Sequence, residues 1–198
     1  MEDLEQIIED LITQRKKTKA KIEKTEVSTE NAFSNDFDKT ANLAENQDLI
    51  NFKQQIVKHL QAAKISHKKW MSFVQILLRL GDVEEAKSAI PINYTLCDFG
   101  KWYYGEGQVL NSFPEFIQME NIHMNVHDTY LQIYNLFNKK IKGYLFNSEK
   151  NQLEKRNKKA LALSDILNEY SKIMFDLLLI VEQSVKNMSY EELKTIKK

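Results

Sequence analysis

Apolar positions recur at helical spacing along most of this chain. Leu4, Ile7, Ile8, Leu11 and Ile12 mark an amphipathic helix over residues 1 to about 24. That set is too small to fold alone, so the helix must dock or self-associate. Residues 25 to 45 are rich in Thr, Ser, Asn, Asp and Glu, with Phe33 and Phe37 as the large apolar residues, and read as a polar linker. A long helix follows over 47 to 81, marked by Leu49, Phe52, Ile56, Leu60, Ala63, Trp70, Phe73, Val74, Leu77 and Leu78, with Gly81 as its terminator. Residues 82 to 96, with Pro91 and Asn93, form a connection that has room for one helical turn over Val83 to Ala89.

The second half continues the pattern. A short helix over 97 to 104 is ended by Gly105-Glu106-Gly107. Ser112-Phe113-Pro114-Glu115 then announces another, with Ser112 as cap, Glu115 completing a capping box and Pro114 in the first turn. It runs to about Lys142. The last helix spans about 149 to 188. Leu153, Ala160, Leu167, Met174 and Val181 repeat every seven residues, Leu163, Tyr170 and Leu177 form a second seam, and Ile166, Ile173 and Ile180 a third. So wide an apolar face must be covered by the rest of the bundle or by a second copy, and a homodimer is expected. Ser189-Tyr190-Glu191-Glu192 is a further capping box, where the helix breaks and restarts.

The fold class is therefore all-α: an antiparallel helical bundle of four main helices plus a short one, with long N- and C-terminal helices. Five Gly and two Pro in 198 residues leave few breakers, and no run of β-branched residues reads as a strand. Three parts are expected: 1–46, an amphipathic helix and linker; 47–146, the central bundle; and 147–198, a long helix for packing or dimerisation.

Charge narrows the function. The formal net charge is zero, which argues against a nucleic-acid binder. The basic runs Arg15-Lys16-Lys17 and Arg156-Asn157-Lys158-Lys159 are flanked by acidic residues and read as solvated helix faces. The longest apolar run, Leu177 to Val181, is far too short for a membrane span. The acidic start, Met-Glu-Asp-Leu-Glu, lacks the order of a signal peptide, so a cytoplasmic location is expected.

The candidate chemistry lies in four His and one Cys. Residues four apart on a helix lie about one turn apart on the same face, so His123 and His127 suit one metal ion. Two unrelated polar residues are the plainer reading of that pair. Cys97 opens a helix, where free amides stabilise a thiolate, although for this residue alone a buried apolar cysteine is the plainer reading. His67 stands mid-helix, three residues before Trp70. His59, about 12 Å earlier on that helix, cannot easily share an ion with His67 and reads as a surface residue.

Taken together, His67-x-x-Trp70, Cys97-x-Phe99-Gly100-x-Trp102 and His123-x-x-x-His127 resemble the chemoreceptor zinc-binding domain family. The resemblance covers roughly residues 50 to 143, and the Cys-x-Phe-Gly-x-Trp segment is its strongest element. It implies a helical bundle holding one Zn2+ through His67, Cys97, His123 and His127. It also implies that Gly100 permits close helix approach and that Trp70 and Trp102 pack around the site. Asp98, Glu120 and Asp128 are candidates for orienting an imidazole, or are simply solvated. Members usually sit beside an output module, and here no Gly-Gly-Asp-Glu-Phe segment occurs, so the signalling partner is unknown.

Four protein donors leave no open position, which makes such a site structural or sensory. Residue 124 is Met, where a zinc protease would place Glu, and no catalytic triad or phosphate-binding loop stands out. The expectation is a non-enzymatic zinc-responsive regulator, with oxidation of Cys97 as a possible input. An adaptor or scaffold protein with a purely structural zinc is the alternative.

Overall fold

The computed structural model describes residues 9, 10, 13, 15–17, 19, 20, 43–80, 91–139, 141 and 146–197. Among them every regular element is helical. Helix α1 spans Leu43–Leu80. Its buried positions are Leu49, Ile56, Leu60, Ala63, His67, Trp70, Val74 and Leu77. From Ile56 onward the steps alternate between three and four residues, the spacing that keeps one stripe facing a core. His67 occupies a place in that stripe.

Helix α2, Asp98–Tyr104, is short and starts from Cys97. A 3₁₀ turn, Glu106–Leu110, leads to α3, Pro114–Asn138. The expected cap at Ser112 is not the observed one. The N-cap is Phe113, in extended backbone and without a side-chain cap bond. The reason is steric: the residue before a proline is held out of the helical region, and Pro114 takes the first helical position, where its missing N–H costs nothing. The helix also stops at Asn138, short of Lys142, with Lys139 in extended backbone.

Helix α4 spans Phe146–Asn187, and α5 spans Tyr190–Ile196. The break between them bears out the second capping box: Ser189 Oγ accepts from the Glu192 amide, and the Glu192 carboxylate accepts from the Ser189 amide. The three seams of α4 are buried from Ala160 to Val181, except at Tyr170, which is half-buried.

Two hydrophobic clusters fill the bundle. One joins Ile56 and Leu60 of α1, Phe99 and Tyr103 of α2, Phe116 and Met119 of α3, and Ile173 to Val185 of α4. The other joins Trp70, Val74 and Leu77, Val126 to Tyr134, and Leu163 and Leu167. The order of these contacts runs α1 and α3 in the same direction and α4 against both. Each buried Leu, Ile or Val contributes about 1.5–3 kcal/mol, and the pairing of α3 with α4 is the most extensive helix contact among the described residues.

Both clusters draw on residues either side of 146, so 47–146 and 147–198 share one core. The wide face of α4 is thus covered inside the chain, and it supplies no argument for a second copy. Polar contacts reinforce the α1–α4 seam. Glu182, with its side chain 6% exposed, accepts from Gln61 Nε2 at 3.2 Å, from Lys64 Nζ, and from Lys186 Nζ at 2.6 Å. Lys53 Nζ donates to the Met188 carbonyl at 2.9 Å.

The expected N-terminal helix falls mostly outside the described residues. Those described within it are helical, and Arg15 Nη1 lies 3.0 Å from Glu169 Oε2 on α4. Of the linker expected over 25–45, residues 43–45 belong instead to α1, while 25–42, the Gly81 terminator and the turn over Val83 to Ala89 lie outside the described residues.

Candidate metal centre

The centre sits where α1, the start of α2 and the middle of α3 meet. Cys97 is the N-cap of α2, in extended backbone. Its Sγ accepts from the Gly100 amide at 3.2 Å, one of the donors that a helix start leaves without a partner. The sulfur also lies 3.3 Å from the Tyr94 carbonyl and 3.3 Å from His123 Nε2. Burial raises the Cys97 thiol above its ordinary range, and the Gly100 and Phe99 amides offset part of that rise. The helix start expected to favour the thiolate is therefore outweighed by desolvation.

His123 and His127 project from successive turns of α3, both 2% exposed. Their ring centroids are 4.7 Å apart. His127 Nδ1 lies 3.0 Å from the Ile92 carbonyl oxygen. A carbonyl can only accept, so Nδ1 carries the proton and Nε2 keeps its lone pair. The tautomer is thereby set for coordination through Nε2. Phe99 packs edge-on against His123 with centroids 4.5 Å apart, which gives the phenylalanine of the Cys-x-Phe-Gly-x-Trp segment a definite task.

Donor atoms of Cys97, His123 and His127 all lie within 4.8 Å of one another. A tetrahedral zinc with three nitrogens and a sulfur separates its donors by about 3.3–3.6 Å. The Sγ–Nε2 distance of 3.3 Å already falls in that range, and the remaining contraction is at most about 1.5 Å. The donor set, soft thiolate with imidazoles, suits zinc. These residues fit the ion.

His67 is 3% exposed and lines the same cavity of about 160 Å3, with Trp70, Cys97, His123 and His127. It does not join the group of three. Its Nε2 lies 3.0 Å from Ser171 Oγ on α4, and its ring packs on Phe175 and Trp70. The four expected ligands therefore face one cavity, with three gathered and the fourth engaged elsewhere. His59 is apart from the centre, 3.3 Å from Glu106 Oε2.

All three centre histidines are held well below the ordinary imidazole range. Burial lowers His67 to about 3, with the His127 ring adding to the effect. It lowers His123 to about 2, aided by His127 and His67, and His127 to about 4 against the opposing pull of the Ile92 and Pro91 carbonyls and Asp128. Near neutral pH the imidazoles are uncharged, the form that binds a metal.

The carboxylates considered from sequence do not orient the imidazoles by contact. Asp98 is exposed and faces Lys101, Asp128 is exposed, and Glu120 accepts from the Tyr104 hydroxyl at 2.7 Å. The Ile92 carbonyl and the Ser171 hydroxyl take that place. Neither was legible beforehand, because a backbone carbonyl has no sequence signature and Ser171 is far away on another helix. Trp70 packs directly on the centre, its centroid 4.8 Å from His127, whereas Trp102 lies one layer out against Phe99 and Phe116.

Gly100 has a reason different from helix–helix approach. A Cβ there would stand 1.9 Å from the Tyr94 carbonyl oxygen and 3.0 Å from Thr95 backbone atoms. The glycine lets the loop before Cys97 fold back against the helix that Cys97 opens.

Residues 67–134 match the family model of the chemoreceptor zinc-binding domain. Over that segment the chain is similar to this domain family. The match begins at His67 and takes in all four candidate ligands of the chemoreceptor zinc-binding domain, together with α2, the 3₁₀ turn and most of α3. No curated protein and no solved structure matches the chain. Among the described residues no helix is long and apolar enough to cross a membrane.

Proposed function

We propose that this protein is a zinc-binding regulator, in which occupancy of one centre by Zn2+ sets the packing of the helical bundle. The observation that carries the reading is the convergence of Cys97, His123 and His127 donors within 4.8 Å, with His67 on the same cavity wall. His67, Cys97, His123 and His127 would hold the ion, which when bound supplies a cross-link between α1, the start of α2 and α3. His127 is presented through Nε2 because Ile92 occupies Nδ1. Cys97 gives up its thiol proton on binding, and the Gly100 amide then supports the thiolate.

Four protein donors leave no position for a substrate, so the centre reads as regulatory and the protein as a non-enzyme. The setting in this reading is bacterial-type signal transduction in the cytoplasm, with a signalling protein as partner, and the chemoreceptors in the family's description support the sensory part of it. Oxidation of Cys97 belongs to the same reading: a peroxide that transfers one oxygen to the thiolate and leaves as water converts it to a sulfenate and changes one donor of four. A homodimer also belongs to it, through a face other than the buried one of α4, and light scattering decides that point.

The test is metal content and exchange. The purified protein is expected to carry one zinc, to release it to a chelator without unfolding, and to change its helix packing as it does. Retention of less than a tenth of an equivalent by the protein, with no uptake on titration, would end the proposal. If chelation instead unfolds the whole bundle, the zinc is structural, and the protein is better read as an adaptor.

A further inference from the structure

We infer that Ser171 is a holding partner for His67, and that zinc binding requires His67 to leave it. The inference rests on the metal reading above and adds a step to it. Ser171 lies on α4, outside the segment matching the family, and is 5% exposed. Its hydroxyl is 3.0 Å from His67 Nε2, across the α1–α4 seam. With that contact in place, His67 stands outside the group formed by Cys97, His123 and His127. A four-donor centre therefore needs the imidazole to move.

The two states are balanced by simple polar accounting. A buried imidazole nitrogen without a partner is costly, so in the metal-free protein the Ser171 hydroxyl stabilises the withdrawn ring. When the ring turns to the ion, its nitrogen is satisfied by the metal. The serine hydroxyl is not stranded either. A helical serine can donate to the carbonyl four residues earlier, here that of Leu167. Movement thus costs about one hydrogen bond. Because Ser171 belongs to α4 and His67 to α1, the exchange alters a contact between these two helices and makes zinc occupancy visible at their seam. The same stretch of α4 carries Glu169, which holds Arg15 of the N-terminal segment.

The experiment compares zinc affinity of the full chain with that of Ser171→Ala, by competition with a chromogenic chelator. Folding is checked by circular dichroism, and the mutant removes a single oxygen. Loss of the holding partner should tighten zinc binding roughly two- to tenfold, the scale of one net hydrogen bond. In a His67→Ala background the same substitution should have no effect on affinity. Imidazole nitrogen NMR of the metal-free protein should show the His67 Nε2 resonance shifted by Ser171→Ala.

Weaker binding by Ser171→Ala, of the tenfold or greater size typical for a residue that orients a ligand, would overturn the inference. So would unchanged affinity, or an equal effect with and without His67. Failure of the unmodified protein to bind zinc would instead bring down the metal reading itself.

Discussion

Replacing Gly100 by alanine sets two effects against each other, and the structure says which wins. In an exposed helix interior this change would stabilise by about 1 kcal/mol, because alanine is the better helix former. At residue 100 the added Cβ would lie 1.9 Å from the Tyr94 carbonyl oxygen and 3.0 Å from Thr95 backbone. Neither is the movable end of a side chain. The loop from Tyr94 to Cys97 must lift by over an ångström, or the start of α2 must tilt away. That loop is tied to the sulfur, which meets the Tyr94 carbonyl on one side and the Gly100 amide on the other. Overpacking of this kind costs about 1–3 kcal/mol, occasionally more. Because the clash is with backbone, the cost is taken at the top of that range, about 3 kcal/mol, and after the helix gain the expected net result is a loss of about 2 kcal/mol, or a Tm lower by about 4–8 °C for a chain of this size. Cys97 moves with the loop, so zinc affinity should fall at least tenfold. Urea unfolding and chelator competition measure the two effects. A Gly100→Ala protein with a raised Tm and unaltered zinc binding would refute the reasoning.

Three more expectations follow from the geometry. Acid should destabilise the metal-free fold: the centre histidines are depressed to between about 2 and 4 when folded, so the unfolded chain takes up more protons once the pH drops below about 6.5. Stability is thus full above that value and declines as the pH falls towards 4, by at most about 1.4 kcal/mol per pH unit for each histidine, which urea midpoints at several pH values will measure. Glu182→Ala should cost about 2–3 kcal/mol in urea unfolding, because it strips charge-assisted bonds from Lys64 and Gln61 at the α1–α4 seam; a loss under 0.5 kcal/mol would show the cluster to be incidental. Zinc binding at neutral pH should release close to one proton, from Cys97 alone, since the imidazoles are already neutral, and calorimetry in buffers of different ionisation heat counts it.

The helices were legible because their signals are local. Alternating steps of three and four residues mark α1, and the triple seam marks α4. The Ser189–Glu192 capping box placed the break before α5 because both halves of that motif lie within four residues. The similar motif at Ser112 misled because Pro114 imposes its own restriction on Phe113, and a backbone constraint outranks a side-chain bond. The gathering of Cys97, His123 and His127 was legible through their joint order and through the resemblance they carry, whereas His67 was expected with them and stands apart. What surrounds them was not. The Ile92 carbonyl on His127, the Ser171 hydroxyl on His67 and the Tyr94 carbonyl over Gly100 are all contacts between segments that the sequence does not pair. The coverage of α4 was equally hidden: a wide apolar face shows that something must cover it, and only the packing of α1 and α3 shows what does.

X-ray absorption at the zinc edge, on the protein loaded with one equivalent, tests the centre most directly. The account expects one sulfur at about 2.3 Å and three nitrogens at about 2.0 Å around the ion. The sulfur shell should be lost in Cys97→Ala, and the nitrogen count should fall by one in His67→Ala. A spectrum of the unmodified protein showing only nitrogen and oxygen neighbours, unchanged by either substitution, would contradict it.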